Sequence, residues 1–283
     1  MEFFTSERIS PSTTKIAYLH NVYCYLVEGR EYAVLLDASA GFGDLKTYVE
    51  TLTDKPVRVI LTHGHVDHVG CASLFETVYL HEKDWEAIKT YDTADRKTLY
   101  TSMILKDRFD ESVKKALCPE RTKGYLPLYD GQIFDLGEVT LEIIEVPGHT
   151  QGAVCVLCRE ERWILFGDMC SPSVFLWCEE STSVEEYLES LKRLKLFENR
   201  YDTVYLSHGN AVADKSILDG VMQVCCEVLE GKDDAICYPF RDFEGLLKAK
   251  ETDHRWVRSD GGIGNIVYKK DKIFSSEKYE NMD

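Results

Sequence analysis

The sequence contains no long hydrophobic run, and this absence sets the first limits on the class of protein. No stretch of its 283 residues approaches the roughly 18–20 consecutive apolar residues that a membrane-spanning helix needs. Residues 1–8 also lack a basic region followed by an apolar run, so no secretion signal is visible. We therefore expect a cytoplasmic protein that does not enter the membrane.

Positive charge is also scarce in this chain. It has 33 Lys and Arg residues against 49 Asp and Glu residues, which gives a formal net charge of −16 at pH 7. Proteins that bind nucleic acid in general do so by releasing phosphate counterions with clustered Lys and Arg. This charge balance argues against nucleic acid and leaves a small molecule as the expected partner. The sequence indicates no particular oligomeric state.

Paired metal-binding cysteines are missing as well. The ten cysteines are scattered, and only Cys155 and Cys158 form a Cys-x-x-Cys pair. A zinc site of four thiolates needs a second such pair. The pair lies in an apolar run at 153–158 that predicts a strand, where positions three apart face opposite sides. We therefore interpret both residues as free thiols in the core.

Hydrophobic patterns predict two groups of strands and helices separated by a helical segment. The first group has strands at 15–20, 22–28, 32–37, 57–61 and 78–80, with helices at 44–52 and 70–75. The second has strands at 132–135, 139–146, 153–158, 163–166 and 203–206, with helices at 183–197 and 214–229. A last strand pair is predicted at 264–268 and 272–274, and the final nine residues are expected to be loosely ordered.

This order of elements predicts an α+β fold built as a four-layer αββα sandwich, in one domain of residues 1–283. Between the two groups, residues 82–129 contain few strand patterns and several aromatic residues. We interpret 82–129 as a helical insertion. It forms either a cap over a functional site or ordinary outer-layer helices.

Metal-ligand side chains are concentrated directly after the predicted strand 57–61. His63, His65, Asp67 and His68 lie within six residues, and imidazole and carboxylate are the usual ligands of catalytic zinc or iron. His63 and His65 are two positions apart and can face one side of an extended loop, while Asp67 and His68 can turn toward a second position. The motif predicts a site for two metal ions, with a solvated histidine-rich turn as the alternative.

His63-x-His65-x-Asp67-His68 resembles the signature of the metallo-β-lactamase superfamily. The segments 147–152, 166–168 and 207–209 resemble the remaining landmarks of that family, in the same order. The resemblance implies the αββα fold. It also implies two groups of metal ligands and one bridging carboxylate: His63, His65 and His149 on the first ion, Asp67, His68 and His208 on the second, and Asp168 between them.

The resemblance further implies a hydrolase with two divalent metal ions, of which Zn²⁺ is the first choice and Fe or Mn the alternatives. A hydroxide that bridges the ions would be the nucleophile, because metal binding lowers the pKa of water to about 7. Asp67 is the expected catalytic residue. It would orient the nucleophile or deliver a proton to the leaving group.

Asp168 separates the chain from the typical antibiotic-hydrolysing branch and places it nearer glyoxalase II-like and lactonase-like members. An ester, thioester or lactone is therefore the expected substrate. The chain departs from glyoxalase II at 169–178, where that family contacts glutathione, so glutathione thioesters are disfavoured. Phe175 and Trp177 on this loop are candidates for an apolar wall of the substrate pocket, with packing beneath the loop as the alternative.

Two other activities known for the same fold are kept as alternatives. An iron-dependent redox enzyme would resemble flavodiiron proteins, which usually carry glutamate at the position of His65, or persulfide dioxygenases, which need fewer ligands. A phosphodiesterase or RNA-processing nuclease shares the motif but is opposed by the net charge. Among the other histidines, His20 and His81 are expected to be structural, and His254 is a weaker pocket candidate.

Overall fold

The computed structural model describes residues 1–20, 22–241 and 243–275. In these ranges the strands are β1 (Phe4–Arg8), β2 (Thr13–Tyr18), β3 (Val22–Glu28), β4 (Ala33–Leu36), β5 (Val57–Ile60), β6 (Val78–His81), β7 (Leu126–Leu128), β8 (Ile133–Asp135), β9 (Thr140–Glu145), β10 (Val154–Cys158), β11 (Trp163–Leu165), β12 (Val174–Leu176), β13 (Thr203–Tyr205), β14 (Val212–Ala213), β15 (Ile236–Cys237), β16 (Leu246–Lys248) and β17 (Ile266–Lys269). The α-helices are α1 (Leu45–Glu50), α2 (Val66–Val69), α3 (Ala87–Tyr91), α4 (Ala94–Leu105), α5 (Glu111–Lys114), α6 (Val184–Lys195) and α7 (Ile217–Leu229).

Two sheets carry most of the strands in the part of the chain that the structure describes. The first contains β1 to β7 in sequence order, antiparallel as far as β4 and parallel from β4 to β7. The second has the order β14-β13-β11-β10-β9-β8, with β11 and β13 parallel. Because parallel neighbours end at the same edge of a sheet, the residues that follow them meet there. This arrangement positions the candidate site.

The two sheets pack face to face, with helices on their outer faces. On β10, Val154 and Val156 contribute to the core between the sheets, while Cys155 and Leu157 face α6 and α7. The outer face of the first sheet packs against α1, α2 and α4. The predicted four-layer αββα sandwich is therefore confirmed. The opposite orientation of Cys155 and Cys158 is confirmed too, since they belong to the cores on the two sides of the sheet.

A third, smaller sheet was not predicted from the sequence. Its order is β12-β17-β16-β15. The predicted strand pair at 264–268 and 272–274 is wrong. β17 pairs instead with β12 and β16, and a 3-10 helix at Lys270–Lys272 follows it. Strands this short are stabilised by partners that are distant in sequence, which no local pattern reveals. All but the first of the final nine residues lie outside the described ranges.

Two other segments differ in detail from the predictions. The predicted helix at 70–75 is wrong, because α2 begins at Val66 inside the histidine motif and only a 3-10 turn follows at Ala72–Leu74. Residues 82–129 contain α3, α4 and α5 and end in β7, which extends the first sheet beside β6.

Among the described residues, no helix is long and apolar enough to cross a membrane.

Candidate metal centre

The structure brings the seven predicted metal ligands together at the edge where strands of both sheets end. His63 and His65 lie between β5 and α2, and Asp67 and His68 lie on α2. The other three residues follow three strands of the second sheet: His149 after β9, Asp168 after β11 and His208 after β13. The ligand-type atoms form overlapping groups, within each of which all atoms lie within 4.8 Å of one another.

The first group consists of three imidazole nitrogens. The Nδ1 atom of His65 lies 3.1 Å from Nε2 of His63 and 2.9 Å from Nε2 of His149. A tetrahedral zinc ion with Zn–N bonds of 2.0–2.1 Å holds its nitrogen ligands about 3.3 Å apart. Three buried nitrogens that converge at nearly this separation match one face of such a coordination sphere.

The second group combines Asp67, His68 and His208. Nε2 of His208 lies 3.4 Å from Oδ2 of Asp67, and Nε2 of His68 lies 3.8 Å from Oδ1 of Asp67. Oδ2 of Asp168 lies 3.3 Å from His208 Nε2 and 3.6 Å from His68 Nε2. The same oxygen is 3.9 Å from Nε2 of His149, which belongs to the first group. Asp168 therefore lies between the two groups.

One buried atom shows that these residues fit a metal ion. The Nε2 atom of His68 is fully buried and has no hydrogen-bond partner within the described part of the chain. A buried polar atom without a partner costs about 1–3 kcal/mol, so such atoms need an explanation. A cation between His68, Asp67 and Asp168 would satisfy it. The donor set of nitrogen and oxygen suits zinc, iron or manganese.

Asp37 orients this second group, although the sequence analysis did not select it. It is buried directly after β4, and its Oδ2 atom lies 2.8 Å from Nδ1 of His68. It also accepts hydrogen bonds from the backbone and the hydroxyl group of Thr62, whose Oγ1 atom is 3.1 Å from Nδ1 of His63. Carboxylates in this position fix the ring orientation and raise the basicity of a metal-binding histidine.

Asp84 joins the two loops that carry the first group. It accepts hydrogen bonds from the backbone N–H groups of Gly64 and Gly152, both at 2.8 Å, and from the hydroxyl group of Thr150 at 2.7 Å. A Cβ atom at position 152 would lie 2.7 Å from Asp84, so glycine is needed for this close approach. The buried carboxylate thereby keeps the loop of His63 and His65 next to the loop of His149.

Glu180 and Tyr91 surround the outer side of His65. The Nε2 atom of His65 lies 2.6 Å from Oε1 of Glu180, which also accepts a hydrogen bond of 2.6 Å from the hydroxyl group of Tyr91. Burial would raise the pKa of Glu180, but its hydrogen bonds with His65 and Tyr91 lower it to about 2. Glu180 is therefore ionised at neutral pH. No sequence pattern pointed to this residue, because it lies in a polar loop far from the motif.

The electrostatics of the cluster keep its carboxylates charged. Burial would raise the pKa of Asp67 and Asp168, but the neighbouring charges of His68 and His208 lower it below the usual range. Burial, reinforced by the positive charge of His65, lowers the pKa of His149 to about 4. At neutral pH the carboxylates and His149 thus have the protonation states that metal ligands need, whereas His65 and His208, whose pKa is raised to about 10 by their contacts in the site, must lose a proton when a metal ion binds.

A large cavity opens onto this cluster. Its volume is about 1510 Å³, and His65, Asp67, His149, Asp168 and His208 line it. Phe175 and Trp177, the predicted pocket residues, line it as well.

The other histidines lie outside the lining of this cavity. His254 is exposed and does not belong to the lining, although the residues that follow it do. His81 is held structurally by Glu145, at 2.8 Å, and His20 is exposed at the turn between β2 and β3 and does not line the cavity.

Comparison with known proteins identifies relatives of similar sequence. The human acyl-coenzyme A thioesterase MBLAC2 is 25% identical over 184 residues, which cover 60% of this chain and 66% of that protein. The probable polyketide biosynthesis zinc-dependent hydrolase BaeB of Bacillus velezensis is 24% identical, over 66% of this chain and 72% of that protein. This chain therefore spans just under two thirds of the human relative.

Solved structures show the same fold. A metallo-beta-lactamase family protein from Thermus thermophilus superposes with a TM-score of 0.54 at 24% identity, covering 82% of each chain. An archaeal superfamily protein from Sulfolobus tokodaii gives a TM-score of 0.52 at 19% identity, over 80% of this chain and 86% of the other. Residues 17–208, which include all seven predicted ligands, match the family described as the metallo-beta-lactamase superfamily. The chain belongs to the metallo-beta-lactamase superfamily.

Proposed function

We propose that the protein is a metal-dependent hydrolase that binds two divalent metal ions, with zinc as the first choice, and cleaves an acyl thioester. The position of Asp168 carries this proposal. A single oxygen of its side chain lies 3.3–3.9 Å from imidazole nitrogens of both ligand groups. His63, His65 and His149 would hold one ion, and Asp67, His68 and His208 the other. One carboxylate between two such groups is what a binuclear centre needs.

When bound, the two ions would lower the pKa of a water molecule to about 7 and polarise the scissile carbonyl group. The protein's own residues orient the reactants. The carboxylate of Asp67 can accept a hydrogen bond from the attacking water and take up the proton that this water loses as it adds to the carbonyl group. It can then pass a proton to the departing thiolate as the carbon–sulfur bond breaks.

Tyr100 on α4 lies close to the carboxylate of Asp67. It lines the cavity, and burial together with the negative charge of Asp67 raises its pKa well above the ordinary value. The phenol therefore stays neutral and keeps its proton at neutral pH. Tyr91, Arg96 and Lys83 of segment 82–129 line the same cavity. These positions support the proposal that the segment acts as a cap, and that substrate choice depends on it.

The choice of a thioester has two sources of support. The human relative is named an acyl-coenzyme A thioesterase. Independently, the cavity joins the polar cluster to the aromatic side chains of Phe175 and Trp177, which suit an acyl group. An ester or a lactone would meet the same polar groups, so the bond that is cleaved must be tested directly.

A substrate panel tests the proposed bond. We expect the zinc-loaded protein to hydrolyse the acetyl thioester of N-acetylcysteamine with a kcat/KM at least about tenfold above that for a γ-lactone, nitrocefin or bis-p-nitrophenyl phosphate. Thiol release gives the rate for the thioester, the coloured products give the rates for nitrocefin and the phosphate diester, and acid release gives the rate for the lactone. Fastest turnover of the phosphate diester would instead support the phosphodiesterase alternative and contradict the thioester proposal.

Asp37→Asn should weaken metal binding without removing any proposed ligand. The amide keeps the shape of the side chain and can still accept from Thr62, but it removes the negative charge that faces His68. Loss of such an orienting carboxylate typically costs 10–100-fold in metal affinity or activity, so we expect about a tenfold or greater rise in the zinc Kd. Competition with a chromogenic chelator measures it. The exposed Asp54→Asn is the control, and an unchanged Kd for Asp37→Asn would contradict the assigned role.

A further inference from the structure

The small third sheet places a cluster of aromatic rings next to the candidate metal centre. Six residues on β12 and on the loops around β15, β16 and β17 form this aromatic wall: Phe175, Trp177, Tyr238, Phe240, Phe243 and Trp256. Ring centroids lie 4.3 Å apart for Trp177 and Phe243, and 5.9 Å apart for Phe175 and Phe240. Four of the six residues lie beyond 17–208, the range that matches the family. The wall is thus built mainly by the part of the chain outside the family match.

The aromatic wall is continuous with the metal centre. All of its members except Tyr238 line the same cavity of about 1510 Å³ as the proposed ligands. The Nδ1 atom of His149 lies 2.7 Å from the backbone oxygen of Phe175, which joins the two features directly. Phe243 is 39% exposed, and Phe240 and Trp256 are half-buried. Rings that stay partly exposed inside a cavity form an apolar binding surface.

Five Lys and Arg residues line the same cavity. Lys83, Arg96, Arg241 and Lys269 have no carboxylate within 4 Å in the described ranges, whereas Arg255 pairs with Asp253. Cations left unpaired beside a cavity attract an anionic ligand. Arg241 also lies 4.9 Å from the ring centre of Phe240, so a basic group adjoins the aromatic rings at this point.

We propose that this cavity selects a long-chain acyl thioester of a phosphorylated thiol, with the acyl chain on the aromatic wall and the phosphates on the four basic residues. The proposal rests on the proposed function for the identity of the scissile bond. The binding surface itself follows from the rings, the four basic residues and the volume of the cavity, which exceeds the 300–1,000 Å³ typical of pockets for small ligands. Both parts of such a substrate would lie in the one cavity onto which the metal centre opens.

Binding of non-hydrolysable thioethers to the zinc-loaded protein tests this inference without relying on turnover. By calorimetry, we expect S-dodecyl-coenzyme A to bind at least about tenfold more tightly than S-ethyl-coenzyme A. Phe240→Ala and Trp256→Ala should each weaken the dodecyl ligand about tenfold and leave the ethyl ligand unchanged. The double variant Arg241→Ala/Lys269→Ala should weaken both ligands about fivefold, and more at low salt.

Two matched controls and one separate assay make the outcomes distinct. Tyr129→Ala and Arg108→Ala remove an exposed ring and an exposed cation outside the cavity, and should change neither affinity. Equal binding of the two thioethers, or wall variants that bind like the parent, would overturn the inference. Hydrolysis of the acetyl thioester of N-acetylcysteamine, which lacks both the long chain and the phosphates, tests the proposed function alone. Chain-dependent binding without any thioester hydrolysis would refute that function while leaving the binding surface supported.

Discussion

Asp168→Ala is expected to lower kcat for thioester hydrolysis by about 10³-fold or more, because the charge stabilisation that bound metal ions supply is worth several kcal/mol. The carboxylate contacts imidazole nitrogens of His68, His149 and His208, at 3.3–3.9 Å. Its removal takes away the one oxygen shared by the two ligand groups. We expect the metal content to fall from two ions per chain toward one, as measured by elemental analysis of the purified variant.

The same substitution should leave the fold intact, which separates a metal-binding role from a structural one. The ion-pair contacts of Asp168 are with imidazoles of the cluster, so alanine breaks no sheet or helix hydrogen bond. Circular dichroism should show the parent's secondary structure and a cooperative thermal transition. The exposed Asp54→Ala is the matched control and should keep full activity. An Asp168→Ala protein with two bound ions and parental kcat would refute the bridging assignment.

The sequence pointed to His63, His65, Asp67 and His68 through their concentration after one predicted strand, and to His149, Asp168 and His208 through the resemblance to the metallo-β-lactamase superfamily. A polar residue at the end of a buried strand is conspicuous, and four of the seven lie within six positions of one another. The residues that orient them were missed for a physical reason. Asp37 contacts Thr62 and His68 only because β4 and β5 are parallel neighbours, and this pairing is a property of the assembled sheet.

The layers of the fold were predictable for a similar reason, and the third sheet was not. Strands such as β10 bury alternate residues in two different cores, and this two-sided burial appears in the sequence as a continuous apolar run. β15 has only two residues and β12 three, which are too few to show any period. Their stability comes from pairs such as Val174 with Ile266, far apart in the chain. Helix α2 was missed because His65, at its N-cap position, is not one of the residue types that mark the start of a helix in a sequence.

Removal of the metal ions by a chelator should abolish hydrolysis, and addition of Zn²⁺ or Mn²⁺ should restore it. Elemental analysis of the untreated protein should find two zinc or manganese ions per chain. Tightly bound iron together with oxygen uptake would contradict hydrolysis and support the redox alternative. Full activity in a preparation shown to be metal-free would contradict the metal-dependent proposal altogether.

Metal removal should also be accompanied by proton uptake at pH 7, and the direction of this effect follows from the cluster itself. In the metal-free protein, burial alone would lower the pKa of both His65 and His208. Contacts with Cys178 and Glu180 raise the pKa of His65 to about 10. Contacts with Asp168 raise the pKa of His208 to about 10 as well. Both imidazoles then carry an extra proton at pH 7, which a metal-bound nitrogen cannot hold. The metal-free state therefore binds more protons than the loaded state.

Zinc affinity should accordingly rise as the pH is raised from 6 to 9. Calorimetry in buffers of different ionisation enthalpy should detect at least one proton released per chain when zinc binds. An affinity that falls over this range would show that His65 and His208 are not ligands.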